Sequence, residues 1–91
     1  MYIILLLMNK LEIFKKKLIY RSNYRGTKEM DLLLSQFVKK NINLFDETLL
    51  KELDKFLDFE DEVILNYYQH GNIKNNIDKN KISKIFKKFK V

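Results

Sequence analysis

Apolar positions along this chain recur with helical rather than strand spacing. Leu11, Phe14 and Leu18 fall at i, i+3 and i+7 within residues 9–22. Over residues 27–40 the series Met30, Leu33, Leu34, Phe37 and Val38 completes an i, i+3, i+4, i+7, i+8 stripe, the signature of a helix with one face on a core. A third helix begins near Asp46, a good N-cap, and carries Leu49, Leu50, Leu53, Phe56 and Leu57 before Asp58 or Phe59 ends it. Glu60, Asp61 and Glu62 suit the first turn of a short fourth helix, with Val63, Ile64, Tyr67 and Tyr68 on its apolar side and His70-Gly71-Asn72 as its stop. The polar stretch from Asn72 to Asn80 reads as a linker or a loosely held segment. Periodicity returns through Ile82, Ile85, Phe86 and Phe89. No window alternates as a strand does, and no internal repeat is visible. The expected fold is all-α, a small bundle of four to five helices joined by short loops.

That pattern divides the chain into an apolar arm (residues 1–8), a helical domain (9–70), and a linker followed by a basic amphipathic helix (71–91). The opening run MYIILLL is far too short to span a bilayer, for which about 20 residues are needed. It has neither the basic n-region of a secretory signal nor the Arg-rich character of a transit peptide. Met8 follows it directly and is a natural start, which makes residues 1–7 a dispensable arm. The alternative is that they form the first turn of a longer helix. With no transit segment in view, the expected location is the bacterial cytoplasm.

With 91 residues the chain is one domain, too small for a deep catalytic cleft. It has no Cys, no Pro, two Gly and a single His, His70, so a thiolate or His-rich metal site is excluded and little interrupts a helix. His70 is expected to be a helix-end residue. Ala is absent while Lys, Asn, Ile and Phe abound, as AT-biased coding would produce, so basicity alone carries little functional meaning. The net charge of +6 is also unevenly laid out. Residues 1–45 carry nine Lys or Arg against three acids, residues 46–70 two against eight, and residues 71–91 seven against one. A polyanion binder seldom places such an acidic block mid-chain.

Both Arg residues of a chain with eighteen basic side chains lie within five positions, in Tyr20-Arg21-Ser22-Asn23-Tyr24-Arg25-Gly26-Thr27-Lys28-Glu29-Met30-Asp31. Arg presents a planar, multidentate fork that Lys cannot copy, so geometry matters here. Two uses stand side by side: recognition of a partner, or satisfaction of helix-end carbonyls within the chain. Gly26 would permit the tight turn between two helices, Thr27 or Gly26 could cap the second, and Glu29 could reach back as a capping-box partner.

From about Leu18 to Tyr68 the sequence resembles the SdhE family of FAD assembly factors, whose mitochondrial relatives serve the same enzyme. The resemblance lies in Tyr20, Arg21, Ser22, Arg25, Gly26, Glu29, Asp31, Leu34 and Phe37, in the Leu-Leu-Leu run at 32–34, and in the acidic third helix with its Asp-rich successor. Two departures are a Lys-rich rather than Arg-rich first helix and a fourth segment without the usual Pro and Trp. The resemblance implies an assembly factor with no catalytic site of its own. It would bind the flavoprotein subunit of succinate dehydrogenase, and in some bacteria of fumarate reductase, and promote the covalent bond between a flavoprotein His and FAD. It also implies no tightly bound cofactor of its own and no metal, with FAD belonging to the partner. Partner binding would fall to Arg21, Tyr24, Arg25, Gly26, Glu29 and Asp31. Arg25 would bond partner carboxylates or carbonyls, Gly26 would allow close approach, Glu29 would order a partner loop or Arg, and Arg21 and Tyr24 would flank the patch.

Rival functions are weaker on the residues. There is no Gly-rich phosphate loop, no nucleophile beside a base and no His pair. A basic helical module for nucleic acid, or an antitoxin-like regulator, would draw on the pI of about 9.5, on Lys15 to Lys17, and on Phe86 and Phe89 among lysines. The acidic block opposes it. A membrane-surface role for the C-terminal Lys/Phe helix suffers from its shortness, and packing on the bundle is the better expectation.

Overall fold

The computed structural model describes residues 9–90, so the arm expected at residues 1–8 lies outside the described residues. Five α helices follow one another: α1 (Lys10–Arg21), α2 (Lys28–Asn41), α3 (Glu47–Phe56), α4 (Asp61–His70) and α5 (Lys81–Lys88), with a 3-10 turn at Ile77–Lys79 before the last. No strand occurs among the described residues, in keeping with the all-α expectation. None of these helices is long and apolar enough to cross a membrane.

Four of the five helices begin where the sequence supplies a side-chain oxygen for an orphan N–H. The side chains of Asn9, Thr27, Asp46 and Asn80 accept from Glu12 N, Met30 N, Leu49 N, and Ile82 N together with Ser83 N. Glu60 precedes α4 without such a bond, and Asp61 and Glu62 in the first turn favour that N-terminus through charge instead. Gly71 closes α4 in the left-handed region at φ 70°, a conformation that favours glycine.

One core runs through the molecule. Met30, Leu33, Leu34, Phe37 and Val38 of α2 are all buried, as their spacing requires, against Leu50, Leu53 and Phe56 of α3 and Val63, Ile64 and Tyr67 of α4. From α1 only Leu18 is fully enclosed; Phe14 packs at the margin and Leu11 is partly exposed.

α5 is part of this core. The Phe86 ring lies 5.0 Å from Phe37, edge to face, 5.3 Å from Phe56 and 5.0 Å from Tyr68, so one residue joins α2, α3 and α4. The Tyr68 hydroxyl donates to Phe89 O at 2.6 Å and fixes the end of the helix. The segment before α5 is held more firmly than its polar composition indicates. Ile77 is fully buried, and Asn80 caps α5 with its oxygen while its Nδ2 donates to Glu52 O at 3.0 Å.

Candidate functional site

The turn from Tyr20 to Asp31 joins α1 to α2 and rests on the C-terminal end of α3. That position explains its chemistry. A helix leaves its last carbonyls unpaired, and a negative partial charge gathers there. Arg21 and Arg25 supply the donors. Arg21 Nη1 donates to Asp54 O at 3.1 Å, and its guanidinium pairs with the carboxylates of Asp54 and Asp58. Arg25 Nη1 donates to Leu57 O at 3.3 Å and to Arg21 O at 3.3 Å, while Nη2 donates to Phe59 O at 3.2 Å.

Arg25 also meets Asp61 at the start of α4. Its Nε and Nη2 each lie 2.7 Å from Asp61 Oδ1, and Asp61 Oδ2 accepts from Gly26 N at 2.7 Å. One carboxylate therefore clasps the Arg and the next backbone amide together. The Arg25 side chain keeps only 14% of its surface exposed and that of Asp61 25%, so the pair is substantially shielded. Three acids of the mid-chain block, Asp54, Asp58 and Asp61, thus find counter-charge inside the molecule, in the two Arg residues of the preceding turn.

Gly26 earns its place by proximity. A Cβ built on it would lie 3.2 Å from Asp61 Oδ2, tighter than ordinary contacts allow. The left-handed residue of the turn is Tyr24, at φ 60°. For a residue with a Cβ that conformation costs about 1–2 kcal/mol. Asp31 holds it, accepting from Tyr24 N at 2.8 Å with its Oδ1. Tyr24 is 81% exposed and Tyr20 70%, and the two rings lie with centroids 6.0 Å apart, tilted 57° to one another.

Of the six sequence-predicted residues, all lie on this one turn. Arg25, and most of Arg21, face inward to the chain's own carbonyls and carboxylates. Asp31 is engaged with the turn backbone. Glu29 is exposed and accepts from Gln69 Nε2 at 3.0 Å, linking α2 to α4; the capping role belongs to Thr27, whose Oγ1 accepts from Met30 N at 3.2 Å. Tyr24 projects its ring into solvent. Three further residues complete the site: Asp61, Asp54 and Asp58. Their only sequence signal is the acidic block itself. Ser22, fully buried, donates to Ile19 O at 2.6 Å and closes α1, which accounts for the Tyr-Arg-Ser part of the pattern. His70 ends α4, where its spacing placed it.

As chemistry, this is an internally ion-paired corner carrying two exposed aromatic rings. Among the described residues, no three His, Cys, Asp or Glu side chains are grouped so as to hold a metal ion. The groove lined by Lys10, Leu11, Phe14, Glu47 and Lys51 has no residue of the turn in its lining.

The family described as "Flavinator of succinate dehydrogenase" matches residues 16–90, which takes in the second half of α1 and every later element. Among individual proteins, the chain is 51% identical over 51 residues to "Succinate dehydrogenase assembly factor 2, mitochondrial" of Scheffersomyces stipitis, covering 56% of this chain and 34% of that protein. The protein of the same name from Schizosaccharomyces pombe is 42% identical over 71 residues, or 78% of this chain and 50% of the relative. That of Dictyostelium discoideum is 37% identical over 59 residues, or 65% and 42%. The chain spans about a third to a half of the length of these curated relatives. No solved structure matches it. Relatives that are eukaryotic and named mitochondrial overturn the expectation of a bacterial cytoplasmic protein. That expectation had rested on a transit segment not being visible, which carries no weight against them.

Proposed function

The chain belongs to the succinate dehydrogenase flavinator family, and from that premise we propose that it binds the flavoprotein subunit of succinate dehydrogenase in mitochondria and promotes attachment of FAD to it, without a catalytic site of its own. The observation that carries this reading is the match over residues 16–90, which includes the whole clasped turn and the bundle that supports it.

FAD belongs to the partner in this reading, and when bound there it supplies the electrophilic carbon that a flavoprotein side chain attacks. What this chain contributes is orientation. A helper that holds its partner in one arrangement raises the fraction of encounters in which nucleophile and flavin are aligned, and alignment of this kind accounts for large rate factors. The corner is built for such a task. Arg21 and Arg25 spend their donors on Asp54, Asp58, Asp61 and the end of α3, and so fix the turn before any partner arrives. Preorganised contacts lose less entropy on docking than mobile ones. Glu29 and Gly26 lie on the exposed rim, where Glu29 can trade Gln69 for a partner donor.

The test is covalent flavin on the flavoprotein subunit, read as in-gel fluorescence after denaturation. Cells with the protein, without it, and with folded Glu29→Ala or Asp61→Asn variants are compared. Fluorescence lost on deletion and reduced in the variants is the expected result. Equal fluorescence in all four refutes the reading.

A further inference from the structure

Arg21 and Arg25 are answered by carboxylates, but a set of lysines elsewhere is not. Lys39 and Lys40 stand in the last turn of α2, and the end of α5 lies beside them, with Lys40 Nζ 5.9 Å from the centre of the Phe89 ring. Lys39, Lys40 and Lys90 line one groove with Gln36 and Phe89, and no acid takes part in its lining. Along α5, Lys81, Lys84, Ile85 and Lys88 are exposed at i, i+3, i+4 and i+7, while Ile82, Phe86 and Phe89 pack inward. Lys88 and Lys90 flank Phe89, so the groove and the outer stripe meet at the end of α5. Among the described residues, none of these six lysines forms an ion pair. Residues 32–45 and 79–91, which supply the face, contain no Asp or Glu.

Coding bias can raise the number of lysines, but it does not keep acids away from them. Helix-end charge explains only some of the six. Lys39, Lys40 and Lys88 suit the negative ends of their helices, whereas Lys81 opens α5, where a cation is unfavourable and no acid stands in the first turn. Lys84 lies mid-helix. Like charges gathered without partners repel one another, and an anionic surface laid against them relieves that repulsion.

The side chains fit mobile lipid headgroups better than a nucleic acid. Nucleic acid is held through rings free to stack or through an element that enters a groove. The Phe89 ring is half-buried, edge to face with Phe37 at 5.3 Å, and α5 is packed along one side. Lysines on flexible stems reach phosphates at no fixed spacing, whereas arginine forks, which this chain uses in its turn, suit fixed geometry. Ile85, 36% exposed between Lys84 and Lys88, is at ease against the headgroup boundary and gains nothing from a phosphate backbone.

We propose that the groove of Lys39, Lys40 and Lys90, continued by the outer stripe of α5, is a docking surface for a lipid bilayer bearing anionic headgroups. The inward rings of α5 belong to the core, so the chain rests on such a surface by charge and does not insert.

The experiment cosediments the full chain with phosphatidylcholine vesicles, with and without phosphatidylserine, beside thermal melting of the chain alone. Expected is binding only where phosphatidylserine is present, lost in 1 M salt, where screening shortens to about 3 Å. A lysine near an anionic surface contributes about five-fold in partitioning, so replacing Lys39, Lys40 and Lys90 together by Gln lowers it about 30-fold or more. Melting stays unchanged, and the same three as Arg retain binding. Lys17, Lys51 and Lys55, exposed elsewhere, give the control: replaced by Gln they change net charge equally and lower partitioning less than about three-fold. No binding to the anionic vesicles, or an equal loss in the two Gln variants, overturns the proposal. Tighter binding to duplex DNA or single-stranded RNA at the same salt assigns the face to nucleic acid and overturns it too.

Discussion

Replacing Asp61 by Ala tests the clasp directly. Asp61 accepts two contacts from Arg25 and one from Gly26 N, each at 2.7 Å, and its exposed fraction is 25% against 14% for Arg25. Hydrogen bonds to charged groups contribute roughly 1.5–3 kcal/mol, and removing one partner of a fully buried pair costs about 3–5 kcal/mol. This pair is only partly buried, and Arg25 keeps its three carbonyl partners, so the expected loss is about 2–4 kcal/mol. In a domain of this size that lowers Tm by roughly 10–25 °C. Asp58 is the internal control. It also pairs with an Arg, but its side chain is 73% exposed, and exposed pairs contribute about 0–1 kcal/mol. Urea denaturation of Asp61→Ala, Arg25→Ala and the double variant gives the coupling energy, expected at about 1–3 kcal/mol and little changed in 1 M salt. Asp61→Ala no worse than Asp58→Ala, or a coupling near zero, refutes the assignment of the clasp as what holds the turn.

Three further outcomes follow from the same geometry. Gly26→Ala pushes a methyl group toward Asp61 Oδ2 and should lower stability by about 1 kcal/mol, with Gly26→Arg worse; equal melting curves would show that the carboxylate moves aside freely. Phe86→Ala removes a fully buried ring that touches Phe37, Phe56 and Tyr68 and should cost about 3–5 kcal/mol in calorimetric unfolding, enough to leave the chain barely folded. Asn80→Ala loses the α5 cap and the bond to Glu52 O, so roughly 1–2 kcal/mol should go, and amide exchange in α5 should quicken more than in α2.

The helices were legible because their stripes are long. Met30 to Val38 covers more than two turns, and Asp46 and Gly71 mark their boundaries with residue types whose reasons are local. The connection before α5 was not, since one buried Ile77 among polar neighbours has no period to display. In the turn, sequence pointed to the right twelve residues but not to their directions. Arg21 and Arg25 meet acids 33 to 37 positions away, a pairing that only tertiary structure makes; the alternation of basic and acidic blocks was its sole trace. Gly26 was expected to permit the tight turn, but the left-handed conformation in it is not the glycine's. It falls on Tyr24 because Asp31 pins that amide, and Gly26 is reserved for the carboxylate beside it.

Phe86 has a consequence in time as well as in space. It is the last fully buried core residue in chain order, yet the rings it touches belong to α2, α3 and α4. While a chain is still being synthesised, or is being threaded through a pore from its N-terminal end, those helices can form and begin to gather around an unfilled centre. They cannot lock until α5 arrives. Until then Phe37 and Phe56 stay within reach of water and of chaperones, and the turn between α1 and α2 has a floor that can still shift. A chain of this kind closes its core abruptly, once α5 is delivered, rather than by degrees.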